Sequence, residues 1–190
     1  SLAGPNARKL MQAVCEGIDF SAEAMPFMSV RTGTAAGVAA RVFRISFSGE
    51  LAYEINVNAN YGQHVWDACM RAGQQYDITP YGTQAMHVLR AEKGFVIVGQ
   101  DTDGSVTPQD LGMDWICAKH KDFIGKRSLI RKDSMRMDRK QLVGLMTKNA
   151  HDVLPEGAQL TDHPEAPLPV PMIGHVSSSY FSACLGHSIA

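Results

Sequence analysis

The chain has 190 residues, 45% of them hydrophobic and 19% charged, with a formal net charge of -1 and a pI near 6.6. That is enough chain to bury a core, and its charge is too balanced to draw in nucleic acid or an anionic membrane surface. No apolar run approaches the ~18 residues that a membrane span needs.

Four cysteines, Cys15, Cys69, Cys117 and Cys184, are scattered without paired spacing. This pattern argues against a zinc site or a disulfide framework. Reduced, mostly buried thiols in a cytoplasmic protein are the expectation.

In chain order, Ala7, Leu10, Met11 and Val14 recur at helical spacing after Pro5, and Gly17 supplies a stop, so a helix is predicted from about Pro5 to Glu16. From Met25 to Gly49, Val, Phe and Ile alternate with Arg and Ser between glycines. Two or three strands follow from that alternation, with turns near Gly33 and Gly37. A further strand is expected over Ala52 to Val57. "NYGQHVWDACMRAGQQY" predicts a helix with Val65, Trp66, Cys69 and Met70 on one face. "YGTQAMHVLRAEKG" predicts a second, apolar at Ala85, Val88 and Leu89. A third is expected to begin near Ile124. Beyond Arg139 the pieces are short and strand-like, separated by the Pro-rich "HPEAPLPVP". The pattern therefore reads as an α+β protein with an appended β module, barrel or sandwich, divided near Met137 to Lys140. Ser1 runs straight into a helical pattern and "CLGHSIA" stops inside a strand-like one. A piece of a longer polypeptide is expected.

One strand residue stands out. In "RISFSGELAYEINVN", alternation puts Tyr53 and Ile55 on one face and Ala52, Glu54 and Asn56 on the other. Glu54 then either meets water or lines a pocket, where a carboxylate can accept two adjacent N–H groups. Glu50, after Gly49, reads as a solvated turn residue. Phe47 reads as core or as a flat wall against an aromatic ligand. The seven histidines show no metal-ligand spacing, and His87 reads as a polar-face residue. "GQDTDG", Gly99 to Gly104, lacks the carboxylate ladder of a calcium loop and reads as a polar turn. There is no G-x-G-x-x-G, P-loop or G-x-S-x-G, so hydride transfer, phosphoryl transfer and serine hydrolysis have no local support.

Six blocks, in order, are similar to one family: "SLAGPNARKLM", "SFSGELAYEI", "GTQAMHVLRAEKG", "GQDTDGSVTPQDLGMDW", "DFIGKRSL" and "IGHVSSSYFSACLGHSIA". Each is a weak signal alone. Together they make nearly the whole chain resemble the glycine-cleavage aminomethyltransferases. From Ala85 to Trp115 the wording is closest to the branch formed by the alpha subunits of bacterial heterotetrameric sarcosine oxidases.

The resemblance implies an aminomethyltransferase-like folate-binding region, incomplete at its N-terminus, over residues 1–138, and an incomplete β-barrel-like module over 139–190. It implies tetrahydrofolate as the ligand, with Glu54 at the family's pterin-binding carboxylate and Phe47 where the family has a tyrosine. FAD, FMN and NAD would belong to the parent complex, the partners would be its other subunits, and the family's catalytic aspartate falls outside this chain. Met86 stands where the aminomethyltransferases carry a substrate-binding arginine. That departure fits the oxidase branch better than aminomethyl transfer. Arg90, one helical turn on, reads as an ion-paired or snorkelling surface residue. The alternatives are a glycine-cleavage aminomethyltransferase or a dimethylglycine-dehydrogenase-type folate domain and, from another class, a docking module of an oxidase complex that has kept the fold without the ligand.

Overall fold

The computed structural model describes residues 1–190, which divide into two compact units, Ser1–Lys93 and Gly94–Ala190. In the first, the predicted helix forms as α1, Ala7–Val14, and its buried residues are Ala7, Leu10, Met11 and Val14. This i, i+3, i+4, i+7 stripe is what one apolar helix face requires. The strands are β1 (Leu2–Ala3), β2 (Cys15–Glu16), β3 (Val30–Ala35), β4 (Val38–Phe43) and β5 (Ala52–Asn56). They form one antiparallel sheet in the order β1-β5-β4-β3-β2. The two edges therefore both come from the first 16 residues, with the β3–β4 hairpin and β5 between them.

Alternation decides which face of the sheet is covered. Ala40, Val42 and Tyr53 join Ala7, Met11, Phe20, Met25 and Val65 in the core, and Ile55 packs against it. Tyr53 is fully buried, edge-on to Phe20 with ring centroids 5.5 Å apart. Its hydroxyl accepts from Arg8 Nε at 3.3 Å, the partner that a buried phenol needs.

Gly37 makes the hairpin turn, with φ +78°. Gly33 does not turn the chain: it lies within β3, opposite Ala40. A side chain there would place Cβ 2.5 Å from the Glu16 carbonyl oxygen and 2.7 Å from Ile18 Cγ1. The glycine thus permits a close backbone approach inside the strand.

The helices α2 (Gly62–Gly73) and α3 (Thr83–Glu92) form as expected, but their faces differ from the expectation. In α2, Val65 is buried while Trp66 is 51% exposed. In α3, Ala85 is exposed and the buried side chain is Arg90. No helix is long and apolar enough to cross a membrane.

The second unit contains less regular structure. Two short antiparallel ladders form, β6 (Gln159–Leu160) with β7 (Gly174–His175), and β8 (Tyr180–Ser182) with β9 (His187–Ile189). The helix expected from Ile124 is instead a five-residue 3-10 turn, Lys126–Ile130. Gly125 precedes it in the left-handed conformation, φ +94°. Farther along, Ser134 Oγ donates to the Ser128 carbonyl, and local bonding of this kind competes with a helical ladder. The buried side chains here are mostly polar: Asp110, Ser178, Ser179, Ser182 and Ser188 beside Val176 and Ile189. The division at 138/139 falls inside this unit, where Leu142 N donates to the Asp110 carbonyl at 2.7 Å.

Candidate functional site

The loop between β4 and β5, residues 44–51, and β5 itself carry the candidate residues. Arg44 anchors the loop at its start. Its Nη1 donates to the Ala52 carbonyl at 3.2 Å, and its guanidinium lies 5.4 Å from the Tyr53 ring centroid and 5.8 Å from that of Phe27. A cation held between two rings and a carbonyl fixes the entry to the loop. Gly49 turns the chain at φ +83°, and the aliphatic stem of Lys93 lies so close that a Cβ at Gly49 would sit 2.7 Å from Lys93 Cγ. Ser48 is buried.

Glu54 pairs with Phe43 across the sheet, on the face away from the core, and is half-buried. The chain supplies no donor to its carboxylate. Phe47 is 42% exposed, so it is not a core residue. Glu50 departs from the expectation of a solvated turn residue. It is half-buried, and its Oε2 is sealed from water with no hydrogen-bond partner, as is the hydroxyl of Ser46. Buried acceptors without donors are uncommon, and each calls for an explanation. Burial, with a smaller contribution from the charge of Glu50, raises the pKa of the Tyr81 phenol.

The loop and the strand after it thus carry two carboxylates to which the chain supplies no donor, Glu50 through its enclosed oxygen and Glu54 in β5, and one exposed aromatic ring, Phe47. A flat, apolar-faced molecule with N–H groups along one edge complements that set. The "SGE" segment marks Glu50 as a turn, and nothing in its spacing announces that one carboxylate oxygen is enclosed. Arg90 is 2% exposed rather than on the surface, and Met86 is half-buried on the same helix. In the second unit, the "GQDTDG" turn is held by its own hydrogen bonds. Asp101 Oδ1 accepts from the hydroxyls of Ser177 and Ser178, each at 2.7 Å, and Oδ2 from Ile97 N at 2.7 Å. The four cysteines are free thiols. Cys15 is buried, Cys69 and Cys117 are half-buried, and Cys184 is exposed, so burial is less general than expected.

The strand carboxylate, its loop and the helix that follows belong to a fold shared with known proteins. The family model described as the GCVT N-terminal domain matches residues 1–121, and the chain belongs to that family. Among individual relatives, it is 50% identical over 191 residues to the sarcosine oxidase subunit alpha of Corynebacterium sp. (strain P-1), covering 99% of this chain and 20% of that one. It is 37% identical to the subunit alpha of Rhizobium meliloti, covering 100% of this chain and 19% of that protein. It is 33% identical to an aminomethyltransferase of Thermotoga petrophila, over 98% of this chain and 48% of the other. The chain thus spans about a fifth of the length of the sarcosine oxidase subunits that it matches. These relatives are enzymes, and the oxidase names describe one subunit of a larger assembly.

Proposed function

We propose that this chain is the folate-binding region of a sarcosine oxidase alpha subunit. The observation that carries the reading is the identity of 50% along 99% of the chain; the resemblance in its motifs would put Glu54 at the family's pterin-binding position. Support comes from the loop and β5: the donor-poor carboxylates of Glu50 and Glu54, and the exposed ring of Phe47, suit a pterin. Glu54 would accept the 2-amino group and the neighbouring ring N–H side by side, a charge-assisted pair. Phe47 would lie flat against the ring. The enclosed Glu50 oxygen would shape the pocket rim.

Bound tetrahydrofolate would supply a nucleophilic amine that captures the one-carbon unit released by sarcosine demethylation, yielding 5,10-methylenetetrahydrofolate. This chain's share is positioning. The catalytic aspartate and the FAD, FMN and NAD sites would lie elsewhere in a heterotetrameric, cytoplasmic complex, so the isolated chain would be inactive. Residues 139–190, with their two short ladders, would form part of a β-barrel-like module beside the folate-binding region of residues 1–138. Aminomethyl transfer is disfavoured by Met86.

The test is a calorimetric titration of 5-formyltetrahydrofolate into the full-length polypeptide, wild type and Glu54→Ala. Losing one partner of a charged hydrogen bond is worth about 2 kcal/mol. A loss of that size in the variant supports Glu54 as the anchor. Absence of binding by the wild type at millimolar ligand rejects the folate reading in favour of a docking module.

A further inference from the structure

The register of the first sheet fixes what stands beside Glu54. On β4, Ala40 and Val42 turn into the core, 6% and 0% exposed. Alternation then puts Arg41 and Phe43 on the opposite face, which Glu54 and Asn56 share on β5. Phe43 is directly opposite Glu54, and Arg41 is directly opposite Asn56. Arg41 is therefore one diagonal step from Glu54, a separation of about 7–8 Å that a long side chain can span. The same rows continue on β3, with Val30 opposite Phe43 and Thr32 opposite Arg41. Arg41 is the one basic residue in these two rows.

Opposite charges on one sheet face commonly attract each other as neighbours. Here they do not pair: neither the Arg41 guanidinium nor the Glu54 carboxylate has a hydrogen-bond or ion-pair partner. Arg41 is exposed and Glu54 half-buried. An ionised carboxylate only accepts, and a guanidinium only donates. A ligand edge that reads donor, donor, acceptor complements the two residues in turn.

A pterin has that edge. Its 2-amino group and N3–H are the donors that the proposed reading gives to Glu54, and the C4 oxygen is next along the same side of the ring. We propose that Arg41 donates to this C4 oxygen, so that the site selects a 2-amino-4-oxo ring over a 2,4-diamino ring. In the neutral diamino ring, N3 carries no hydrogen and C4 carries an amine. A lone pair then faces the carboxylate, and a donor faces the guanidinium. A site built around a hydrogen bond rejects an analogue that cannot make it. The inference rests on the proposed reading, because it takes Glu54 as the anchor of the ring and adds a second charged contact beside it.

The experiment uses the full-length polypeptide. 5-Formyltetrahydrofolate is titrated calorimetrically into wild type, Arg41→Met and Arg41→Lys. Folic acid and aminopterin, which differ only in carrying oxygen or an amine at C4, are then compared as displacers of it. Wild type should prefer folic acid by about ten-fold or more, the worth of one hydrogen bond to a charged group. Arg41→Met should bind 5-formyltetrahydrofolate about ten-fold more weakly and lose most of that preference. Arg41→Lys should keep part of both, since an ammonium still donates. A general loosening of the fold would weaken all three ligands alike and leave the preference as in wild type, a result that overturns the inference. Wild-type affinity for 5-formyltetrahydrofolate in Arg41→Met also overturns it and leaves the folate reading standing. A lower melting temperature of that variant without ligand, together with unchanged binding, assigns Arg41 to a contact within the polypeptide instead. Absence of binding by wild type at millimolar ligand rejects the folate reading, and the inference falls with it.

Discussion

Arg139 grips Asp110 from 29 positions away, with Nε 2.9 Å from Oδ1 and Nη2 2.6 Å from Oδ2. Asp110 is 5% exposed. Thr107 donates to the same carboxylate from both its backbone N–H and its hydroxyl, each at 2.8 Å. The bond from Arg139, joined by those from Thr107, holds the Asp110 carboxyl far below the usual carboxylate range, against the opposing effect of burial. In a unit whose buried side chains are mostly polar, this two-pronged pair stands where an apolar contact would stand elsewhere.

Removing one partner of such a pair leaves a buried charge uncompensated. Arg139→Ala should therefore destabilise the fold at neutral pH, read as a lower denaturant midpoint. The pH dependence follows from the depressed pKa. Unfolded Asp titrates near 3.9, so the contribution is complete well above that value. It is lost as the pH falls below about 4, towards the folded-state pKa. Melting temperatures followed from pH 7 to pH 2.5 should fall steeply in the wild type and less steeply in Asp110→Asn. Parallel acid limbs would reject this role for Asp110.

Gly33 and Gly174 offer a matched pair. A Cβ at Gly33 meets the Glu16 carbonyl oxygen at 2.5 Å, whereas at Gly174 the nearest atom is Leu160 Cδ1 at 3.4 Å, the end of a flexible side chain. Gly33→Ala should cost about 1–3 kcal/mol by overpacking, and Gly174→Ala much less. Urea midpoints for the two variants decide it. Similar values would mean that β2 moves aside freely.

The thiols should react in order of exposure. Burial, with a smaller contribution from Cys69, pushes the Cys15 thiol up to about 11, and only the thiolate attacks. Iodoacetamide at pH 8 should modify Cys184 first and Cys15 last, with site occupancy read by peptide mass spectrometry. Early modification of Cys15 in folded protein would contradict its burial.

Glu50→Gln should separate stability from binding. Exchanging a carboxylate whose enclosed oxygen has no donor for a neutral amide should raise stability by about 1 kcal/mol. It should also weaken 5-formyltetrahydrofolate in the calorimetric titration. A variant that gains stability and binds as well as wild type would take Glu50 out of the site.

The first unit was legible because apolar periodicity controls it. The stripe Ala7, Leu10, Met11, Val14 became the buried face of α1, and the alternation around Tyr53 put Glu54 on the face away from the core. Gly33 was misread because a glycine inside a strand and a glycine at a turn look alike in sequence. The distinction depends on Glu16 and Ile18, which approach it from another strand and its flank. The segment after Ile124 was misread because its helical spacing is overridden by Gly125 and by side chains bonding to local carbonyls. The second unit's polar interior leaves little trace in hydropathy: nothing in the spacing of Asp110 and Arg139, 29 positions apart, announces that they pair. At the candidate site, the resemblance drew attention to Glu54 and Phe47, while the enclosed oxygen of Glu50 depends on how the loop folds over itself.

The order of the first sheet has a consequence for trimming the chain. Residues 1–16 contribute both marginal strands and the helix packed against the core. A proteolytic cut after Glu16 that released them would strip the sheet to β3, β4 and β5, with unpaired backbone along both sides and Tyr53 and Val42 uncovered. Two bare margins beside an apolar face are a template for edge-to-edge association. The remnant would be expected to gather into insoluble, strand-paired aggregates rather than persist as a smaller domain.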